Sequence, residues 1–435
     1  MKKFLLNPTL VILISIISIG SLFTSCSDDD PYSLAKEHIN YTIPEGGYTV
    51  KVNQPLVIDI ETRSDEGVTY QWFLDEGNIS TSKNLNYTFQ TAGEFQLNLI
   101  VSQANKKYEF PSKLVVSFSD IDGSEENATA YITKVLDFVP AIGQYTNKMP
   151  QYEEGDTQEI MNSKVLASIG NNKRGMISLG GYGGYVVVGF DHTIKNVAGK
   201  RDFRVLGNAF YSNYNPDKNA PEGGSCEPGI IMVAYDSNKN GIPDDNEWYE
   251  IEGSSHVDPK LEPWYAKANK AMNDSVTIRD YEITYFRPAK EPTTADEKKE
   301  YVKWEDNQGN SGYKVKNGFH NQPYFPQWIK EDKLTFRGTC LPQNGIDESG
   351  KGNNFVLYKF RYGYADNEKN DKDESAIDIS WAINSKGQKV NLPGVDFIKI
   401  YTGVNQENGW LGESSTEIVG VEDLHILGID IDTRK

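Results

Sequence analysis

The amino-acid sequence predicts an all-β protein, with a small N-terminal sandwich followed by a larger jelly-roll-like β-sandwich. Short runs rich in β-branched and aromatic residues recur along the chain, and Gly, Asn and Asp separate them. Stretches with a helical period are scarce, and Val135–Val139 and Thr294–Lys303 are the helical candidates. No internal repeat is visible, which argues against a propeller and favours a two-sheet sandwich.

Residues 1–26 have the features of a bacterial export signal. Lys2 and Lys3 precede an apolar run, Leu10–Gly20, which is too short to span a bilayer. Small residues then lead to Cys26, and this pattern resembles the lipobox of bacterial lipoproteins, whose cysteine is diacylated and becomes the first mature residue. An ordinary secretory signal with a coincidental cysteine is the alternative.

The acidic run Asp28–Asp30 follows this cysteine almost directly. It resembles the signal with which Bacteroidetes place lipoproteins on the outer face of the outer membrane, and a solvated acidic linker is the alternative. We therefore expect a surface-exposed protein that is anchored in the outer membrane by acyl chains on Cys26. Each buried methylene would contribute roughly 0.8 kcal/mol to this attachment.

Composition limits the partners of the chain. It carries 44 Lys and Arg against 62 Asp and Glu, a formal net charge of -18 at pH 7. Such a chain repels phosphate backbones, so we expect no nucleic-acid binding. Cys226 and Cys340 remain after processing at Cys26. Outside the cytoplasm they could form one disulfide, and two buried thiols are the alternative because a core of this size needs no covalent staple.

The pattern divides the chain into successive segments. Residues 27–40 are mostly polar without a clear period and are expected to form a tether. Residues 41–118 alternate like strands and predict a small sandwich. Residues 119–127 are polar and acidic and predict a linker. A β-sandwich ligand-binding domain is expected over residues 128–427, with residues 428–435 as a C-terminal tail.

Three short segments of the first sandwich have a more specific pattern. Tyr70–Trp72, Tyr87–Phe89 and Ala92–Phe95 together resemble a PKD-like, immunoglobulin-type domain. The resemblance implies that Trp72 is a core residue and that the Gly-x-Phe step in the third segment opens a strand. Domains of this kind usually act as spacers.

A second resemblance extends over the larger domain. It rests on the joint occurrence of several segments: Ile177–Gly184, Val188–His192, Asp202–Phe203, Gly207–Phe210, Glu227–Gly229 and Gly394–Tyr401. Together they resemble a family of Bacteroidetes cell-surface lipoproteins with an N-terminal PKD-like domain. The resemblance implies a binding function at the cell surface, often beside outer-membrane uptake systems that include those for corrinoids. It implies no established catalytic residues.

The most specific local motif is a predicted calcium loop that fits D-x-[DN]-x-[DN]-G-x5-E at every position. Calcium prefers about six to eight oxygen ligands. The expected ligands are Asp236, Asn238, Asn240, the Ile242 carbonyl, Asp244 and a bidentate Glu247. The flanking sequence is strand-like, so the ion would have a structural role between strands. A polar β-turn with incidental acids is the alternative.

A second polar site is predicted from Asp202, Asn208 and Glu227, which lie near a Gly-rich segment. In sugar-binding and calcium-binding sandwiches, an Asp, an Asn and a nearby acid converge on one ion or on one set of hydroxyls. We therefore expect these three side chains to share a site.

Aromatic rings in irregular sequence are the predicted ligand contacts. Long loops are often functional, and exposed rings stack on the apolar faces of sugars or on flat heterocycles. The candidates are Trp264, Trp304, Tyr324, Trp328 and Trp410.

Motifs for catalysis are scarce. The histidines lie far apart in the sequence, and neither H-E-x-x-H nor G-x-S-x-G is present. The favoured hypothesis is a non-enzymatic surface protein that captures a nutrient, either a glycan or a small molecule such as a corrinoid, for an outer-membrane transporter. A glycan-cleaving enzyme with a carboxylate pair is one alternative, and an adhesin or structural surface protein is another.

Overall fold

A computed structural model describes residues 34–119, 127–212 and 215–433. The predicted lipidation site, Cys26, lies outside the described residues. Within them strands dominate and helices are short, so the predicted all-β fold class is confirmed. No helix in these three segments is long and apolar enough to cross a membrane.

The N-terminal domain consists of strands arranged mainly in one sheet. The strands are β1 (Ile39–Asn40), β2 (Tyr48–Lys51), β3 (Pro55–Ile58), β4 (Glu61–Thr62), β5 (Val68–Leu74), β6 (Gly77–Ser80), β7 (Leu85–Thr88), β8 (Gly93–Gln103) and β9 (Lys106–Ser117). Five of them form the order β2-β9-β8-β5-β6, in which β2 and β9 run parallel. Strand β3 pairs with β7, and β1 pairs with β4.

Trp72 lies at the centre of this domain. Its side chain is fully buried, and its indole N–H donates a hydrogen bond to the Ser82 carbonyl at 3.1 Å. The Tyr41 ring packs edge-on against it at 5.8 Å. Gly93 is the first residue of β8. Both features agree with the resemblance to PKD-like domains.

The larger domain contains the remaining strands and four short helices of the described chain. The strands are β10 (Lys134–Val139), β11 (Ile177–Ser178), β12 (Tyr185–Lys195), β13 (Phe203–Leu206), β14 (Phe210–Tyr211), β15 (Gly223–Ser225), β16 (Gly229–Ala234), β17 (Trp248–Ile251), β18 (Ile278–Phe286), β19 (Val302–Asp306), β20 (Ser311–Lys314), β21 (Lys333–Cys340), β22 (Gly345–Asp347), β23 (Phe355–Tyr358), β24 (Ala376–Ile377), β25 (Ala382–Ile383), β26 (Gly394–Thr402), β27 (Glu417–Ile418) and β28 (Gly420–Asp423). The helices are α1 (Gln158–Ile169), α2 (Ser254–Val257), α3 (Tyr265–Lys270) and α4 (Ala295–Lys299).

The largest sheet has six antiparallel strands in the order β10-β12-β26-β16-β17-β25. Smaller sheets surround it: β20-β19-β18-β21, β14-β15-β23-β22, β24-β13-β28 and the pair β11-β27. The central strands of the large sheet have nearly continuous apolar sequences, because both of their faces are covered. Strand β16, for example, is buried at five of its six positions.

Two helical expectations need correction. Val135–Val139 is not helical, since it forms most of β10 and pairs with β12. In Thr294–Lys303 the helix covers only Ala295–Lys299, where Thr294 caps the N-terminus by accepting the Glu297 N–H.

Helix α1 was not predicted. It buries Met161, Val165 and Ile169, and the Thr157 side chain caps its first turn.

The two domains contact each other through aromatic rings. Phe118, just after β9, packs edge-on against Tyr235 at 5.3 Å and Tyr249 at 6.5 Å. The Asn53 amide donates a hydrogen bond to the Ser237 hydroxyl at 3.2 Å. The predicted calcium loop, which begins beside Tyr235, therefore lies at the junction of the domains.

The cysteines Cys226 and Cys340 are both buried and are not bonded to each other. The sequence left one disulfide and two free thiols as alternatives, and the structure has two free thiols.

Candidate functional site

A cavity of about 270 Å³ lies where several strand ends of the larger domain meet. Its wall includes Glu227, Glu413 and Glu417, together with Asn208 and Asn408. We call it the acidic cavity. Concentrating carboxylates in one cavity is costly unless protons or a cation neutralise them.

Three carboxylates form a tight group, which we call the carboxylate triad: Glu227 and Glu417 line this cavity, and Asp366 lies against them outside the cavity wall. Glu227 lies between β15 and β16, and Glu417 is the first residue of β27. Asp366 directly follows Ala365, which forms a β-bridge with Gly229. One side-chain oxygen from each lies within 4.8 Å of the other two. Asp366 and Glu417 are 2% and 4% exposed, whereas Glu227 is only partly buried.

Backbone hydrogen bonds fix Asp366. Its Oδ1 accepts the N–H groups of Asn208 and Ala209 at 2.7 and 2.8 Å, and its Oδ2 accepts the N–H of Glu417 at 3.0 Å. The residue has φ of +49°, a left-handed conformation that Asp tolerates better than most residues. The strand ends are therefore held against one rigid carboxylate.

Two serines position the other members of the triad. Glu227 accepts the Ser415 N–H at 3.0 Å and the Ser225 hydroxyl at 3.0 Å. The Ser415 hydroxyl donates to Glu417 at 2.8 Å. These neutral donors hold the carboxylates in place without cancelling their charge.

Burial and mutual repulsion shift the titration of these groups. Burial raises the pKa of Glu227 to about 7, and burial together with the neighbouring Glu407 charge raises the pKa of Glu413 to about 8. The pKa values of Asp366 and Glu417 are raised well above their ordinary range by burial and by the other carboxylates. The cavity thus favours bound protons or a bound cation at neutral pH.

The second polar site is only partly assembled as predicted. Asn208 and Glu227 both line the acidic cavity, but Asp202 lies at the other end of β13. The Asp202 carboxylate accepts the N–H groups of Val197 and Ile379 and contacts the His425 ring. Asp202 thus has a structural role in the β24-β13-β28 region, and Asp366 and Glu417 complete the group instead.

A second, larger cleft of about 460 Å³ lies beside the β20-β19-β18-β21 sheet. Its aromatic residues are Trp304 on β19, Tyr313 on β20 and Tyr281 on β18. Tyr313 is 42% exposed, and Trp304 is partly exposed. Gly312 faces Trp304 across the strand pair, and a Cβ there would lie 2.9 Å from the indole ring. Gly312 therefore makes room for the Trp304 ring. We call this cleft the aromatic cleft.

Polar groups of the aromatic cleft are already held by hydrogen bonds. Asp306 accepts the Tyr281 hydroxyl at 2.9 Å and the Asn310 amide at 3.1 Å. The Asn405 amide donates to the same tyrosine oxygen at 3.0 Å, and Lys314 forms an ion pair with Glu407 at 2.8 Å. A ligand would therefore meet donors and acceptors whose positions are fixed beforehand.

Three of the predicted ligand contacts are core residues. Trp264, Tyr324 and Trp328 are 0%, 1% and 5% exposed. The Trp264 N–H donates to a backbone carbonyl, and the Trp328 ring stacks on Phe138 at 5.8 Å. Their faces are covered by protein, so none of the three offers a ring to a ligand.

The other two predicted aromatics are accessible. Trp304 lines the aromatic cleft, and Trp410 is 58% exposed beside Leu411, which lines the acidic cavity.

The predicted calcium loop is closed by its own hydrogen bonds. Asp236 accepts the N–H of Asn240 at 3.0 Å, and the amides of Asn238 and Asn240 both donate to Asp244, at 2.6 and 2.9 Å. Glu247 is 3% exposed and accepts the N–H and hydroxyl of the residue after Asp236. The predicted ligands lie together on one loop, but the oxygens of the two amides accept backbone N–H groups of the loop itself.

Comparison with known families identifies the N-terminal domain. Residues 38–103 match the PKD-like domain. This match confirms the PKD-like interpretation of that part of the chain. Among curated proteins, no sequence matches this chain.

Likenesses to solved structures are weak. A quinoprotein alcohol dehydrogenase-like protein from Bacteroides thetaiotaomicron is 19% identical with a TM-score of 0.18, and the match spans 25% of this chain and 24% of that chain. A SusE-like protein is 10% identical with a TM-score of 0.14, over 90% and 99% of the two chains. SGBP-B of the Bacteroides ovatus mixed-linkage glucan utilization locus, in complex with a mixed-linkage heptasaccharide, is 13% identical with a TM-score of 0.17, over 83% and 95%. These TM-scores support no conclusion about function.

The raised pKa of Glu413 predicts that stability falls as the pH rises. Its contribution is fully present below the ordinary pKa of 4.5 and is lost as the pH passes the folded-state pKa of about 8. In the presence of a chelator, thermal melting should therefore be higher at pH 5 than at pH 8. Glu413→Gln should reduce this difference, because an amide cannot ionise. An equal difference in the variant would contradict the assignment.

Proposed function

We propose that this protein is a lipid-anchored outer-membrane protein that binds an oligosaccharide at the cell surface and leaves it chemically unchanged. The observation that carries the proposal is the aromatic cleft, where Trp304 and Tyr313 lie beside fixed polar groups. Its volume falls within the range of about 300–1,000 Å³ that is typical of small-molecule sites.

The chemistry of the cleft suits a neutral sugar. Aromatic rings stack on the apolar faces of sugars, while carboxylate and carboxamide groups such as those of Asp306 and Gln343 hydrogen-bond to hydroxyls. The formal net charge of -18 disfavours acidic glycans. A corrinoid is the second ligand class to be tested, because it follows from the sequence resemblance.

The proposed location rests on the N-terminal sequence. Acylation of Cys26 would anchor the chain, and Asp28–Asp30 would direct it to the outer face of the outer membrane. The PKD-like domain would then act as a spacer between the membrane and the larger domain. From there, a bound nutrient would be passed to an outer-membrane transporter.

We also propose that the Asp236–Glu247 loop binds a structural calcium ion. The support is the complete sequence motif and the presence of Asp236, Asp244 and Glu247 on one loop. Binding requires the amides of Asn238 and Asn240 to turn their oxygens inward, and the Ile242 carbonyl to join them. The ion would stiffen the junction with the N-terminal domain.

One observation favours the glycan-cleaving alternative. Buried carboxylates with raised pKa values line the acidic cavity, and a glycosidase needs such a group as its general acid. The rings of the aromatic cleft, Trp304 and Tyr313, do not line this cavity, however, so these acids lie apart from the proposed sugar site. Binding without cleavage therefore remains the better-supported function.

Replacement of Trp304 by Ala should weaken oligosaccharide binding by about 1–3 kcal/mol, if stacking on a sugar is comparable to stacking on a nucleic-acid base. The measurement is a calorimetric screen of neutral glycans, acidic glycans and corrinoids against the purified protein, with mass spectrometry of the ligand afterwards. Trp410→Ala is the matched control, because Trp410 is an exposed tryptophan outside the aromatic cleft. Cleavage of a glycan by the wild type, lost in a carboxylate variant, would establish the alternative.

Replacement of Cys26 by Ala should release the protein from membranes, because no thiol remains for acylation. Deletion of Asp28–Asp30 should leave the protein membrane-bound but protect it from protease added to whole cells. The measurements are cell fractionation and surface proteolysis. Equal protease sensitivity with and without these acids would contradict their role as a surface signal.

Calcium should slow trypsin cleavage after Lys239, an exposed residue in the middle of the loop. Ion binding stabilises the closed conformation by mass action. Glu247→Ala should remove this protection, because it removes the bidentate ligand. Cleavage after Lys351, an exposed residue in a loop without this motif, serves as the internal control. Identical rates after Lys239 with calcium and with chelator would show that the loop is a plain turn.

A further inference from the structure

The carboxylate triad has the dimensions of a metal coordination sphere. Calcium–oxygen distances are about 2.3–2.6 Å, so two ligand oxygens on opposite sides of one ion lie up to about 4.6–5.2 Å apart. The triad oxygens all lie within 4.8 Å of one another. They could therefore contact one calcium ion with little rearrangement. Magnesium demands near-ideal octahedral geometry and is usually bound through one or two carboxylates, so a group of three suits calcium better.

The charge of the triad is not balanced by protein cations. Within the described residues, Glu227, Asp366 and Glu417 form no ion pair with Lys, Arg or His, and neighbouring carboxylates contribute to the raised pKa values of Asp366 and Glu417. Nearby basic residues are engaged elsewhere; Lys359, for example, pairs with Glu222 and Glu368. A divalent cation would relieve the repulsion.

Asn408 is a further buried polar side chain of the cavity wall that lacks a full set of partners. It lines the same cavity and is 1% exposed, and its amide nitrogen donates to the Ser414 hydroxyl at 2.9 Å. Its side-chain oxygen accepts no hydrogen bond from any described residue. A buried carbonyl oxygen without a partner costs about 1–3 kcal/mol. Carboxamide oxygens are common calcium ligands, and bound water can carry such a contact.

The cavity also has an entry path. Asn208 is exposed at its rim, and Glu227 is only partly buried. An ion could therefore reach Glu227 first and then the buried oxygens of Asp366 and Glu417.

We propose that the acidic cavity is a divalent-cation site that prefers calcium and is formed by Glu227, Asp366 and Glu417. The ion would join the segment after β15, the loop after Ala365 and strand β27. This site is separate from the Asp236–Glu247 loop and does not depend on the ligand of the aromatic cleft.

Isothermal titration with CaCl2 and with MgCl2 tests the proposal on the purified chain. Glu417→Gln should bind one calcium ion fewer than the wild type, whatever the loop contributes. Glu422→Gln is the matched control, because Glu422 is a buried acid on neighbouring β28 that pairs with Arg174 outside the triad. The control should keep the wild-type stoichiometry.

The thermal melting of the same variants separates a metal ligand from a structural residue. With chelator at pH 8, Glu417→Gln should melt at or above the wild-type temperature, because it removes one of three repelling charges. The calcium-induced rise should be smaller in this variant than in the wild type. A lower melting temperature with an undiminished calcium response would show that Glu417 is structural.

Crystals soaked in MnCl2 provide a direct test that does not need a folded variant. An anomalous peak between Glu227, Asp366 and Glu417 is expected. Absence of this peak, together with unchanged calcium stoichiometry in Glu417→Gln, would overturn the proposal and leave the triad neutralised by protons.

Discussion

The carboxylate of Asp366 is the constraint on which the larger domain depends. It accepts three backbone N–H groups from two distant segments, Asn208–Ala209 after β13 and Glu417 at the start of β27. Removing it would leave these three N–H groups without this acceptor, and a buried one such as that of Glu417 would cost about 1–3 kcal/mol. The left-handed backbone at Asp366 is maintained by these contacts. The strand ends that form the acidic cavity are therefore organised around one charged side chain.

The position of the Asp366 carboxylate has an electrostatic consequence. Because Asp366 lies where β15, β16 and β27 end, Glu227 and Glu417 are brought close to it in a poorly solvated place. Their serine partners fix the geometry but carry no charge. The negative charge of the carboxylates must therefore be neutralised by something other than protein side chains, either by protons at low pH or by a cation at neutral pH. An extracellular location, where calcium is plentiful, would suit the second solution.

Aromatic residues are divided between the core and the surface in a way that their sequence context did not reveal. Trp264 and Trp328 come from irregular, Pro-rich segments, yet both rings are enclosed, and each indole N–H has a hydrogen-bond acceptor. Trp304 comes from a strand, yet it borders an open cleft because Gly312 stands opposite. Local composition marks where aromatic residues occur, whereas burial depends on which segments pack over them.

The sequence by itself determined the all-β class, because strand alternation and turn residues are local properties. Its resemblance to PKD-like domains implied the N-terminal domain and the core position of Trp72. It also contains the signal for helix α1, a Thr cap before apolar residues spaced by four. The carboxylate triad was decided by the tertiary structure alone. Glu227, Asp366 and Glu417 are far apart along the chain, and no local pattern indicates that the strand ends carrying them converge. Asn208 and Glu227 have the residue types of a polar site, whereas the direction of β13 places Asp202 at the other end of that strand, away from the cavity.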